Sequence, residues 1–151
     1  MSDQMQLPMA VEDLIPHRLP MRQVERLLEF HDHEGVIEAV VGEENLLLDT
    51  DGRLDEAGFI EMLAQSFAAV QGYADRLAGK PLRKGFLVGI RKFSVMAPAY
   101  RGDCLTIRIH PIAALERFFV VEGEILRNEE VLASCNLKLW IPPERPMKGD
   151  A

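Results

Sequence analysis

The sequence predicts an α+β fold in which a curved antiparallel sheet wraps one long helix. Three observations lead there. The first is the stretch from Ala57 to Ala74, AGFIEMLAQSFAAVQGYA, which is apolar on nearly every side. A helix of that kind is buried. The second is the order of the remaining segments, with two strand-like runs before the helix and four after it. The third is that no other segment reads as a helix of comparable length, so a helical bundle cannot cover it and a sheet must. Such a sheet has open edges. Pairing with a second copy is the common way to close them, so a dimer is expected.

Taken in chain order, residues 1–8 read as a loose tail. Val11–Leu14 suits a short helical turn that Pro16 stops. Gln23–Phe30 and Val36–Gly42 are strand-like, and the polar HDHEG between them reads as a hairpin turn. Glu43–Asp55 is a polar loop with Asp49, Asp51 and Gly52 as turn formers. Asp55 is placed to cap the long helix, which runs to about Leu77 before Gly79 and Pro81 end it. Phe86–Met96, Cys104–Ile112, Phe118–Leu126 and Val131–Ile141 then read as strands, divided by APAYRGD and RNEE turns. Residues 143–151 form a second loose tail. The whole of 1–151 is read as a single domain.

Composition sets the broad class. The chain has 151 residues, 48% of them hydrophobic, which suits one domain with its own core. No apolar run approaches the length of a membrane span, and MSDQMQLP lacks a charged-then-apolar leader. A cytoplasmic protein with no membrane partner is expected. The net charge of −7 argues against nonspecific nucleic-acid binding. Arg83, Lys84, Arg91, Lys92 and Arg101 cluster after the helix. They suit either an acidic partner or a solvated surface. Cys104 and Cys135 have no metal-type spacing and read as two reduced core thiols. No cofactor and no metal is implied.

The chemistry concentrates on the helix. At about 100° per residue, Phe59, Ile60, Met62, Leu63, Phe67, Val70 and Tyr73 share one broad side. The other side carries Ala57, Gly58, Ala64, Ala68 and Gly72, with Glu61 and Gln65 among them. An acid on a buried helix must be paired, neutralised or used. The small residues around Glu61 leave room for something other than a side chain, which favours use.

Three segments carry a family resemblance. LIPHRLPMRQVERLLEF (Leu14–Phe30) resembles the LPHR-P opening of the 3-hydroxyacyl-carrier-protein dehydratases. GFIEMLAQSFAAVQGY (Gly58–Tyr73) resembles their acid-bearing central helix. GFLVGIRKFSVMAPAYRGDCL (Gly85–Leu105) resembles their GI-K-F…P…GD-L strand and turn. The resemblance implies the hotdog fold of that family. It implies a substrate held as a thioester on acyl carrier protein or coenzyme A. It also implies a two-part reaction, in which a loop His of one subunit takes the α-proton and the helix acid of another protonates the leaving hydroxyl. By matching position, Glu61 is that acid and Gln65 its orienting neighbour. Ala57 and Gly58 would lie near the thioester carbonyl, because the start of a helix is electropositive, and Ala68 would line the substrate space.

One half of the pair is missing. The loop before the helix reads LLLDTDGRLDEAG, and Leu47 stands where the family carries its His. No His lies between His33 and Glu61. Asp55 and Glu56 replace a Pro-Gly pair. The chain is most similar to a subgroup associated with aryl-polyene-type gene clusters, which has a D-G-x-L-P-like loop before G-I-E-x-M-A-Q. His17 of the PHR motif is expected to be structural, and His31, His33 and His110 to be surface or structural groups. Asp49 and Asp51 are expected to be solvated turn residues. The readings that follow are a dehydratase of fatty-acid or polyene lipid biosynthesis, acting as a homodimer or higher oligomer, or as a heterodimer with a His-bearing hotdog subunit. The alternatives are a hotdog thioesterase using Glu61, which needs no His, and a non-catalytic subunit that binds acyl chains or carrier protein.

Overall fold

The structure is a computed structural model and describes residues 6–82 and 85–143. Most of both expected tails, together with Arg83 and Lys84 of the basic cluster, lies outside the described residues. The strands are β1 (Met9–Ala10), β2 (Arg26–His31), β3 (Glu34–Val40), β4 (Phe86–Val95), β5 (Cys104–Leu115), β6 (Phe118–Arg127) and β7 (Glu130–Trp140). They form one antiparallel sheet in the order β1-β2-β3-β5-β6-β7-β4. The helix α1 (Glu56–Leu77) follows β3 and packs on one face of the sheet. This is the expected α+β arrangement.

Each end of α1 has a chemical cause. Asp55 is extended, and its carboxylate accepts from the Ala57 N–H at 2.8 Å. That is the geometry of an N-cap. At the other end Gly79 takes a φ of +71°. Its N–H donates to the Arg76 carbonyl, and the Lys80 N–H donates to the Asp75 carbonyl. These two bonds make a Schellman motif, which needs a residue free to turn left-handed. The sheet-facing side buries Phe59, Met62, Leu63 and Val70 against Leu27, Ile37, Ile107, Ile125 and Leu137. The alternation of the strands supplies that apolar face.

The first hairpin turns differently from the sequence expectation. Asp32 and His33 both take positive φ, 51° and 68°, and make a two-residue turn. Gly35, expected in the turn, belongs to β3, where a Cβ would run into Val70. Cys104 is likewise not a core thiol. It opens β5 on the outward side of the alternation and is exposed, whereas Cys135 is buried and burial pushes its thiol up.

The two edges of the sheet are unlike. β1 is only two residues long and shields the start of β2. β4 is ten residues long, and among the described residues no strand pairs with its outer side. Phe86, Leu87, Val88 and Ile90 are exposed along it. A long apolar edge of that kind is ordinarily covered.

Gly72 explains how the N-terminal segment reaches the helix. A Cβ at Gly72 would collide with the backbone carbonyl of Leu14. Ala is otherwise favoured over Gly inside a helix by about 1 kcal/mol. Gly72→Ala is nevertheless expected to destabilise the fold by about 1–3 kcal/mol through overpacking. Urea denaturation measures this, and an unchanged or raised stability would show that the segment yields freely.

Candidate active site

Glu61 lies one turn into α1, half-buried rather than sealed in the core. It opens onto a cavity of about 180 Å³ between α1 and the ends of β4 and β7. Ala64, Gln65, Ala68, His17 and Leu139 help to line it. Of the small side of the helix, Ala64 and Ala68 border this space, whereas Gly58 packs against Leu54 and Gly72 against the Leu14 backbone.

Gln65 holds the acid in place. It is 1% exposed, so its amide must be satisfied internally. Its Nε2 donates to the Glu61 carboxylate at 2.9 Å and to the Met21 carbonyl at 3.0 Å, and its Oε1 accepts from the Gln23 N–H at 2.7 Å. The spacing of four residues puts the two side chains on one face of the helix. The bonds to Met21 and Gln23 could not be read from the sequence, because they cross from the segment before β2. The network continues. Asn45 Nδ2 donates to Gln23 Oε1 at 2.8 Å, and Asn45 Oδ1 accepts from the Leu47 N–H at 2.7 Å. The Leu47 carbonyl in turn accepts from the Asp55 N–H at 2.8 Å. One chain of hydrogen bonds thus joins the helix acid to the loop that carries Leu47.

The start of the helix is occupied. The Ala57 N–H donates to the Asp55 carboxylate and the Gly58 N–H to the Asp55 carbonyl, both at 2.8 Å. Neither residue lines the Glu61 cavity, so the structure does not bring Ala57 and Gly58 together with Glu61, Gln65 and Ala68. The residue that replaces the family's proline is the one that takes up these donors.

The other candidates separate cleanly. Leu47 is half-buried against the core and is not part of the cavity lining. His31 and His110 line a different cavity at the β2–β3 end, where His110 Nδ1 stands 2.8 Å from Glu34. His33 packs beside Phe30 in the hairpin turn. Asp49 accepts from the N–H groups of Arg53 and Asp51 at 3.0 and 2.8 Å, as a turn residue does. His17 is the residue that sequence reasoning set aside and that the structure places on the cavity wall. Among the described residues no group of three His, Cys, Asp or Glu could hold a metal ion, and no helix is long and apolar enough to cross a membrane.

The Asp49 turn gives a pH prediction. The Arg53 N–H, then that of Asp51, holds the Asp49 carboxyl below its ordinary range. Its contribution is complete above the ordinary value and is lost as pH falls through the lower folded one. Unfolding followed below about pH 4 should show a shallower acid loss in Asp49→Asn than in the parent chain. Identical slopes would remove Asp49 from the acid response.

Comparison with known proteins bears on the family and the fold. The model of the ApeP-like family, described as ApeP dehydratase, matches residues 9–148. A chain of the dehydratase heterocomplex ApeI:P from Xenorhabdus doucetiae superposes with a TM-score of 0.82 at 27% identity, covering 92% of this chain and 93% of that one. A hypothetical thioesterase from Streptococcus pneumoniae TIGR4, solved with coenzyme A, superposes at 0.64 with 13% identity over 80% and 87%. The PaaI protein of the phenylacetic acid degradation operon of E. coli does so at 0.62 with 14% identity over 76% and 80%. These last two share the fold alone. No protein of curated function matches the sequence. With a family match over residues 9–148, this chain belongs to the ApeP-like dehydratase family.

Proposed function

We propose that this chain is one half of a 3-hydroxyacyl-thioester dehydratase, and that Glu61 is its proton donor. The observation that carries the reading is the Glu61–Gln65 pair, held on an open cavity walled by small residues. The reaction is a β-elimination. A base removes the α-hydrogen, the electron pair forms the Cα=Cβ bond, and the Cβ–O bond breaks. Glu61 gives its proton to the departing hydroxyl, which leaves as water. Hydroxide leaves poorly without that proton. A larger space of about 530 Å³ adjoins the cavity at Ala68 and His17, and takes the acyl tail.

The base comes from a second hotdog subunit. Leu47 offers no proton acceptor, and the apolar β4 edge suits a partner sheet. ApeI:P is a dehydratase heterocomplex, and we carry that arrangement over to this protein. The substrate is a 3-hydroxyacyl chain on acyl carrier protein or coenzyme A, in polyene or fatty-acid synthesis. The test mixes this chain with a His-bearing hotdog subunit from the same gene neighbourhood and follows enoyl-thioester formation. The mixture should turn over substrate well above the partner alone. A mixture no faster than the partner removes the pairing, and release of free thiol instead of the enoyl product points to a thioesterase.

A further inference from the structure

The groove contains a second polar group that the acid–base reaction does not use. His17 borders both the cavity at Glu61 and the larger space beyond it. Its position is held from several sides. Arg18 donates to the carbonyls of Ile15, His17 and Glu12 at 2.9, 2.8 and 3.0 Å, which closes the Pro16–His17–Arg18 turn on itself. Arg76 of α1 donates to the Asp13 carbonyl at 2.9 Å. Gly72 lets the Leu14 backbone lie directly on the helix. A segment tied down at these points has little freedom, so the imidazole is held where it meets the groove.

The ring has a definite polarity. Its Nδ1 is sealed from solvent and has no hydrogen-bond partner among the described residues. A hydrogen on a sealed nitrogen would be a buried unpaired donor, a rarer and costlier state than a buried lone pair. The neutral ring therefore carries its hydrogen on Nε2, and the far edge of this half-buried ring is a donor. The same argument speaks against His17 as the base, because accepting a second proton would leave Nδ1–H buried and unpaired. Gln65 already bonds Glu61, Met21 and Gln23. Glu61 and His17 both line this one cavity of about 180 Å³.

We propose that His17 is a substrate-binding residue, whose Nε2–H donates to the 3-hydroxyl oxygen of the bound acyl thioester and turns that oxygen toward Glu61. No atom is transferred to or from His17. The proton that completes the leaving water comes from Glu61. The inference rests on the dehydratase reading and adds to it the group that recognises the hydroxyl. Sites built to bond a substrate hydroxyl discriminate against analogues that lack it.

The test measures binding of a 3-hydroxyacyl thioester and of the matching saturated acyl thioester to the assembled dehydratase, with turnover alongside. His17→Phe keeps a ring but removes the donor. His17→Gln restores an N–H near the Nε2 position. His17→Phe should weaken the hydroxylated ligand about tenfold, the scale of one net hydrogen bond, and leave the saturated ligand's affinity as it was. His17→Gln should recover most of the loss. Equal weakening of both ligands, or of neither, overturns the assignment. If the parent complex dehydrates no 3-hydroxyacyl thioester, the dehydratase reading itself fails. If it turns substrate over while His17→Phe shows no discrimination, that reading stands and the role of His17 falls.

Discussion

Replacing Glu61 with Gln should lower dehydration by the assembled complex by about 10²–10⁴-fold, the scale of one lost general acid. The change is close to isosteric. A Gln at this position keeps a carbonyl oxygen to accept from Gln65 Nε2, so the bonds from Gln65 to Met21 and Gln23 are undisturbed. What it loses is a proton that can be given away. Folding and binding should therefore survive while turnover does not. Enoyl-thioester formation measures the rate, and thermal unfolding checks the fold. A variant that dehydrates at the parent rate would remove Glu61 from the reaction, and with it the argument that the open, alanine-lined side of α1 exists to serve the acid.

Much of this was legible in the sequence because it is local. The Asp55 cap, the stop at Gly79 and the four-residue spacing of Glu61 and Gln65 each depend on neighbours within a turn or two. The parts that stayed hidden depend on distant contacts. Nothing near Gln65 announces that its amide will bond Met21 and Gln23, more than forty residues away in sequence. Nothing near His17 announces that Gly72 will admit the Leu14 backbone and bring the ring to the groove. Ala57 and Gly58 illustrate the opposite failure. Their N–H groups lie at the electropositive end of a helix, as expected, yet Asp55 takes both. A substrate carbonyl would have to compete with a residue that the sequence also places there. The Glu61 side chain was expected to be buried because the helix is apolar nearly all round, and it is instead half-buried on the wall of a cavity.

Restoring the missing base should make the chain active by itself. Leu47 is held through its backbone, with its N–H bonded to Asn45 Oδ1 and its carbonyl to the Asp55 N–H. Neither bond involves the side chain, so Leu47→His keeps both and gives up only the partial packing of Leu47 against the core. A histidine there would present an imidazole from one copy to the Glu61 of another across a β4-mediated pair. The parent chain alone should show no dehydration. Leu47→His alone should show enoyl formation, rising as pH increases through about 6.5 while the imidazole loses its proton. Adding Glu61→Gln to Leu47→His should abolish the gain, which ties the new activity to both halves of the pair. The step from no base to a positioned one is worth about 10²–10⁴-fold in rate, so even an imperfectly aimed ring should lift turnover above background. If Leu47→His folds, forms pairs in solution and stays inert, then the loop does not face a second Glu61. The proton acceptor must in that case reach the groove from another element of the partner.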